Sequence, residues 1–163
     1  MTRTALFPGV FDPLTLGHLD IIKRTPIVCE KLIVAVAQNP AKTTFFTVEE
    51  RLDMLRAATH DCLHVEITAF SGLAVEYAKE RNVAFLVRGL RSFSDFEHEF
   101  QMAAANRRMS GLETVVFMSQ HSYISSSLIR EIAHFGGPLQ NLVPAEVESF
   151  LRKKFPAHDP KVR

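Results

Sequence analysis

GVFDPLTLGHLDII, residues 9–22, decides how this chain is read. Glycines 9 and 17 and Pro13 crowd a short loop, a histidine follows Gly17 at once, and an apolar helical pattern begins behind it. Upstream lies the run Thr4–Phe7, short and apolar enough for a buried strand. A strand, a tight glycine turn and a helix in that order form the start of a βαβ unit. They also place His18 at the mouth of a helix.

The same alternation continues outward. Leu32–Ala37, His64–Thr68, Ala84–Val87 and Thr114–Phe117 are four further strand candidates, with amphipathic segments of helical length between them. Continuous apolar runs suit strands covered on both faces, and strand–helix alternation implies right-handed crossovers and a parallel sheet. Thr47–Glu50 and Ser94–Glu97 each have the spacing of a capping box. Gly136-Gly137-Pro138 should stop a helix over 125–135, and Pro144 suits the first turn of a last helix reaching about Phe155. Pro26 falls inside the helix expected after His18, so that helix should kink there or end near Thr25.

Composition narrows the functional classes. The 163 residues suit one domain, expected over 1–155, with 156–163 a frayed tail. Hydrophobic residues make up 47%, charged residues 23%, and the net charge is +1. No basic excess suggests a nucleic-acid partner or a membrane surface. Cys29 and Cys62 have no metal-ligand spacing and read as reduced thiols. Met1–Pro8 is too quickly interrupted for a signal peptide, and Leu32–Ala37 is too short to span a bilayer, so a cytoplasmic protein is expected.

In an open parallel sheet, ligands bind beyond the carboxyl ends of the strands. The residues expected there are Gly9–Asp12 with Thr15–His18, then Asn39–Lys42, Ser71–Leu73, Arg88–Arg91 and Ser122–Ser127. Each has an ordinary reading. His18 could cap or pack, Lys42 could be a solvated loop lysine, Arg88 could meet a structural carboxylate, and Ser125–Ser127 could simply cap a helix. Their convergence on one sheet edge favours a polyphosphate site instead. Helix N-termini at His18 and Ser126 would offer free N–H groups, and Lys42, Arg88 and Arg91 would neutralise charge.

Thr15-x-Gly17-His18 with Ile124-Ser-Ser-Ser-Leu-Ile-Arg130 resembles the paired (H/T)xGH and ISSTxxR motifs of the nucleotidyltransferase superfamily. PGxFDPxTxGHxDII, the segment Asn39–Glu50, Arg88-Gly-Leu-Arg91, Asp95-Phe-Glu97, Asn106-Arg107 and ISSSLIREIA together look like the bacterial phosphopantetheine adenylyltransferase family, over about Thr4 to Phe155. The resemblance implies a Rossmann-like, doubly wound α/β domain with a five-stranded parallel sheet and a C-terminal helix. It implies transfer of AMP from ATP to 4′-phosphopantetheine, giving dephospho-CoA and pyrophosphate.

By position, the resemblance makes His18 a donor to the transferring phosphate and sets Lys42 and Arg88 on the phosphate of phosphopantetheine. Gly89, Leu90, Arg91 and Glu99 would line the ATP site, with Val10 and Phe11. His121, Ser122, Tyr123, Ile124, Ser125, Ser126 and Ser127 would hold adenine and the β,γ-phosphates. Leu73, Ala74 and Asn106 would follow the pantetheine arm, with Val10 beside the acceptor. Mg²⁺ would be held mainly by ATP oxygens and water, and a homohexamer is the family's usual assembly. The chain departs from the pattern in three places. Val10 replaces the family's Ser or Thr, the stretch Met118–His121 is a couple of residues short and puts His121 where an aromatic is usual, and Pro26 interrupts a helix. Rival readings are another small nucleotidyltransferase, such as one acting on nicotinamide mononucleotide, or a non-catalytic nucleotide- or CoA-binding module.

Overall fold

The computed structural model describes residues 3–38 and 43–156. Through them run β1 (Thr4–Gly9), α1 (Leu16–Arg24), β2 (Lys31–Gln38), α2 (Val48–Ala58), β3 (Val65–Ser71), α3 (Ala74–Glu80), β4 (Phe85–Leu90), α4 (Phe93–Ser110), β5 (Glu113–Met118), α5 (Ser126–His134) and α6 (Ala145–Lys154). The strands form one parallel sheet in the order β3-β2-β1-β4-β5. The chain steps outward from β1 to β3, then crosses back to lay down β4 and β5. This is the expected doubly wound α/β architecture, and its direction reverses between β1 and β4.

That reversal opens the crevice. β1 pairs with β2 from Thr4 to Gly9, but it pairs with β4 only at Ala5 and Leu6. Beyond Leu6 the two central strands part at their carboxyl ends. Such a switch point is where this architecture binds ligands. Pro8, which has no N–H, sits in the parted stretch, and its carbonyl accepts a 2.8 Å bond from the Arg88 guanidinium.

Alternate side chains go to opposite faces of the sheet. Ala5 and Phe7 join Ile22, Leu55, Ile129 and Leu151 in a large core under α1, α2, α5 and α6. Leu6 and Leu86 join Ile33 and Val75 in a smaller core under α3. Leu6 and Ile22 are fully buried, and each such side chain stabilises the fold by about 1.5–3 kcal/mol.

Several local expectations shift. β4 runs on to Leu90, so Arg88 and Gly89 lie inside the strand and not in the loop after it. Their pairing with Val116 and Phe117 of the edge strand extends the ladder, and no local pattern reveals that. Only Arg91 and Ser92 separate β4 from α4, so Ser92 caps the helix, accepting from Asp95 N–H at 3.3 Å, and Ser94 falls within the first turn. Both halves of the Thr47–Glu50 capping box are present. α1 ends at Arg24, and Pro26 sits in a 3₁₀ turn over Thr25–Ile27, where its missing N–H is harmless. α5 stops at His134. Gly136 takes φ +70°, which lets Gly137 N–H reach Ile132 O at 2.8 Å. Pro144 stands at the N-cap of α6, one place before its first turn. Of the expected tail, 157–163 lies outside the described residues.

Candidate active site

A cavity of about 850 Å³ occupies the crevice. The loop after β1 brings Val10, Phe11 and His18 to it, and the turn after β3 brings Leu73 and Ala74. β4 and α4 contribute Arg88, Gly89, Arg91, Glu99 and Asn106, and the start of α5 contributes Ile124, Ser125, Ser126 and Ser127. Four residues expected from the sequence do not line it. Leu90 is buried in the fold, Ser122 and Tyr123 face solvent, and His121 lies partly buried beside Gly17. Lys42 lies outside the described residues.

His18 answers for both its local and its functional reading. Thr15 caps α1, its hydroxyl accepting from His18 N–H at 3.4 Å, while Thr15 N–H donates to His18 Nδ1 at 3.1 Å. The imidazole thus takes the place of the usual Glu in a capping box. Because Nδ1 accepts, the ring proton of the neutral form sits on Nε2. Burial, and then the Arg91 and Arg88 guanidinium groups, hold the imidazole pKa down at about 4. His18 is therefore a neutral donor near pH 7. The Phe11 ring packs edge-on against it, centroids 5.1 Å apart, and rests on Gly9, where a Cβ would come within 2.8 Å of the ring. Gly89 is needed for a parallel reason: a side chain there would collide with Ile21 of α1.

Three arginines described in the cleft each face a carboxylate. Arg88 binds Glu99 through two bonds of 2.7 Å. Arg91 binds Asp95 at 3.0 and 3.3 Å and donates to Ile124 O at 3.3 Å. Arg130 donates to the Asp12 carbonyl, and its guanidinium lies 3.6 Å from the Asp12 carboxylate. Arg88 thus has the structural carboxylate of its ordinary reading, in Glu99. The arginines are pre-oriented, and an incoming polyanion can exchange for the carboxylates or share the guanidinium groups with them. At the start of α5, Ser125 is the N-cap, accepting from Leu128 N–H at 3.2 Å, and Ser126 Oγ donates to Pro13 O at 2.8 Å. The helix mouth is thereby pinned to the loop after β1.

The combination of a neutral histidine at one helix mouth, a serine-capped mouth opposite and guanidinium groups between them is suited to a phosphate chain. The comparisons agree. A cytidylyltransferase-like family model matches residues 6–132. The chain is 49% identical over 156 residues to a phosphopantetheine adenylyltransferase of Caldanaerobacter subterraneus subsp. tengcongensis, covering 94% of this chain and 98% of that one. It is also 49% identical over 156 residues to a phosphopantetheine adenylyltransferase of Carboxydothermus hydrogenoformans, covering 94% and 96%. The chain belongs to the phosphopantetheine adenylyltransferase family of nucleotidyltransferases.

For this family member, sequence reasoning passed over residues that act through the tertiary fold. Arg130, the last residue of the second motif, lines the cleft. Asp12 is buried, and its two carboxylate oxygens accept Phe45 N–H and Phe46 N–H, both at 2.8 Å, joining the loop after β1 to the segment that enters α2. Arg51 ties the loop after β1 and the end of β2 to the start of α2, through Val10 O, Ala37 O and Thr47 O. One signal for Arg51 was available: it shares a helix face with Val48, Leu52 and Leu55, a core position that a cation occupies only with polar partners.

Proposed function

We propose that the chain transfers AMP from ATP to 4′-phosphopantetheine. A phosphate oxygen of 4′-phosphopantetheine attacks the α-phosphorus of ATP, the bond to the β-phosphate breaks, and pyrophosphate leaves. The acceptor phosphate is already anionic at neutral pH, so the protein's work is positioning and charge stabilisation. The observation that carries this reading is His18: a neutral imidazole with its proton on Nε2, held at the switch point between Arg88 and Arg91. Its Nε2–H would donate to the transferring phosphate as charge redistributes. Arg88, with Lys42, would take the acceptor phosphate, and Arg91 with the Ser125–Ser127 helix mouth would take the β,γ-phosphates. Leu73, Ala74 and Asn106 would line the pantetheine arm.

Among the described residues, the carboxylates Asp12, Asp95 and Glu99 each face an arginine, which suits Mg²⁺ carried on ATP oxygens and water. That ion would neutralise charge on the phosphate chain. Self-association is supported by α4, on which Phe93 is 90% exposed and Phe100 63%, beside the exposed Val116 and Met118 of edge strand β5. A hexamer is the assembly we expect from the family. No described helix is long and apolar enough to cross a membrane, and the two thiols are free, in keeping with residence in the cytoplasm.

A pyrophosphate-release assay with ATP, Mg²⁺ and 4′-phosphopantetheine tests the reading. Release is expected with that acceptor and not with nicotinamide mononucleotide. The reverse preference would assign the chain to another nucleotidyltransferase. ATP binding without release for either acceptor would make it a binding module.

A further inference from the structure

Arg51 lies in the first turn of α2, 2% exposed, beneath the cleft and outside its lining. Its Nη1 donates to Val10 O at 2.9 Å and to Ala37 O at 3.2 Å, and its Nε donates to Thr47 O at 3.3 Å. A buried guanidinium is thus spent on the main-chain carbonyls at the ends of β1 and β2. Burial pulls its pKa below the ordinary arginine value, and the nearby Asp12 carboxylate opposes that.

The carbonyl it holds belongs to the peptide that enters Phe11. Phe11 has φ +51°, a left-handed conformation that a bulky side chain rarely adopts. Such a conformation persists only where the surroundings over-determine it. A concerted rotation of the Val10–Phe11 peptide would relieve the positive φ and exchange the places of the Val10 C=O and the Phe11 N–H. In a trans peptide these two groups point in opposite directions. With the carbonyl drawn down to Arg51, the N–H faces away from Arg51, and it makes no hydrogen bond to a described residue. The rotated form would aim a carbonyl where that N–H now points and repel an anion there.

We propose that Arg51 is a positioning residue: by latching the Val10 carbonyl from below, it holds the Phe11 N–H as a fixed donor to a phosphate oxygen in the cleft. The inference rests on the proposed reaction for the identity of that anion, and on the geometry for the latch. Arg51 touches no substrate and acts only through the peptide above it. Asp12 cannot replace it, because an ionised carboxylate only accepts: its oxygens take the Phe45 and Phe46 amides, while the Val10 carbonyl needs the Arg51 donor.

The test uses the whole chain with ¹⁵N-labelled phenylalanine and the variants Arg51→Met and Arg51→Lys. The three-bond coupling between the Phe11 amide and α protons reads φ without any ligand. In Arg51→Met it should move away from its wild-type value, and kcat per folded molecule should fall by roughly 10²-fold, the lower end of the scale of losing one oriented donor. The KM for 4′-phosphopantetheine should change less than about threefold, since the acceptor's own cations are untouched. A residue that merely stabilised the fold would lower Tm and leave both the coupling and kcat per folded molecule alone, and that result overturns the proposal. If neither variant folds, wild type decides: saturating ATP must shift the Phe11 amide resonance, and an unmoved resonance overturns the proposal. A wild type that binds ATP and releases no pyrophosphate overturns the proposed reaction, while the coupling in Arg51→Met still decides the latch.

Discussion

Replacing His18 by glutamine should change how stability depends on pH. In the folded protein the imidazole pKa is held at about 4, first by burial and then by Arg91 and Arg88, against an ordinary value of 6.5. Between those two values the unfolded chain takes up a proton that the folded chain refuses. Stability is therefore lost as pH falls through 6.5 towards 4, and His18 contributes no pH dependence above about 6.5. At ~1.4 kcal/mol per pH unit the full loss is ~3 kcal/mol, and going from pH 7 to pH 4.5 realises ~2.5 kcal/mol of it. Glutamine can still accept from Thr15 N–H, so the capping box survives while the titration disappears. Urea unfolding followed by circular dichroism, on both proteins at both pH values, gives the comparison. Wild type should lose ~2.5 kcal/mol relative to His18→Gln on acidification, which is well outside the error of extrapolation. If the stability difference between the two proteins is the same at both pH values, His18 is not held neutral by its surroundings, and the argument for a fixed Nε2–H donor fails.

His18→Ala should lower kcat ~10²–10³-fold with ATP affinity by calorimetry nearly unchanged, and near-normal kcat would remove the donor role. Arg88→Ala and Lys42→Ala should weaken 4′-phosphopantetheine more than ATP, and Arg91→Ala should do the reverse, by roughly 1.5–3 kcal/mol each; calorimetry giving equal losses for both ligands would refute the division. Arg88→Ala also strands the largely buried Glu99 carboxylate, so its lowered Tm should recover when Glu99→Gln is added. Val10→Thr should fold normally and raise kcat/KM up to ~10-fold, the worth of one hydrogen bond of about 1 kcal/mol; slower steady-state turnover would mean the valine belongs to a different arrangement. Gly89→Ala should destabilise by ~1–3 kcal/mol in thermal melts, because a methyl group there meets Ile21, and an unchanged Tm would mean α1 yields freely.

Local information in the chain was enough for the sequence of elements. The five apolar runs became five strands, the Thr47–Glu50 box capped α2, and the glycines after α5 ended it. The loops expected to gather at one sheet edge did gather there, because parallel strands joined by helices must present their carboxyl ends together. These features follow from hydrophobic periodicity and from conformations that only glycine or proline favours, both of which act over a few residues. The partners of the charges were decided elsewhere. Arg88 of β4 meets Glu99 of α4 and Pro8 of β1, Arg130 of α5 meets Asp12, and Arg51 of α2 reaches Val10, and these residues reach one another only once the helices have packed on the sheet. The parting of β1 from β4 after Leu6, which makes the cleft, is likewise a property of pairing between strands about 80 residues apart in the chain. The low pKa of His18 depends on burial and on two arginines brought in from β4 and the turn after it. Electrostatic energy depends on distance in space and on how much water is excluded, and neither is written in the spacing of residues along the chain.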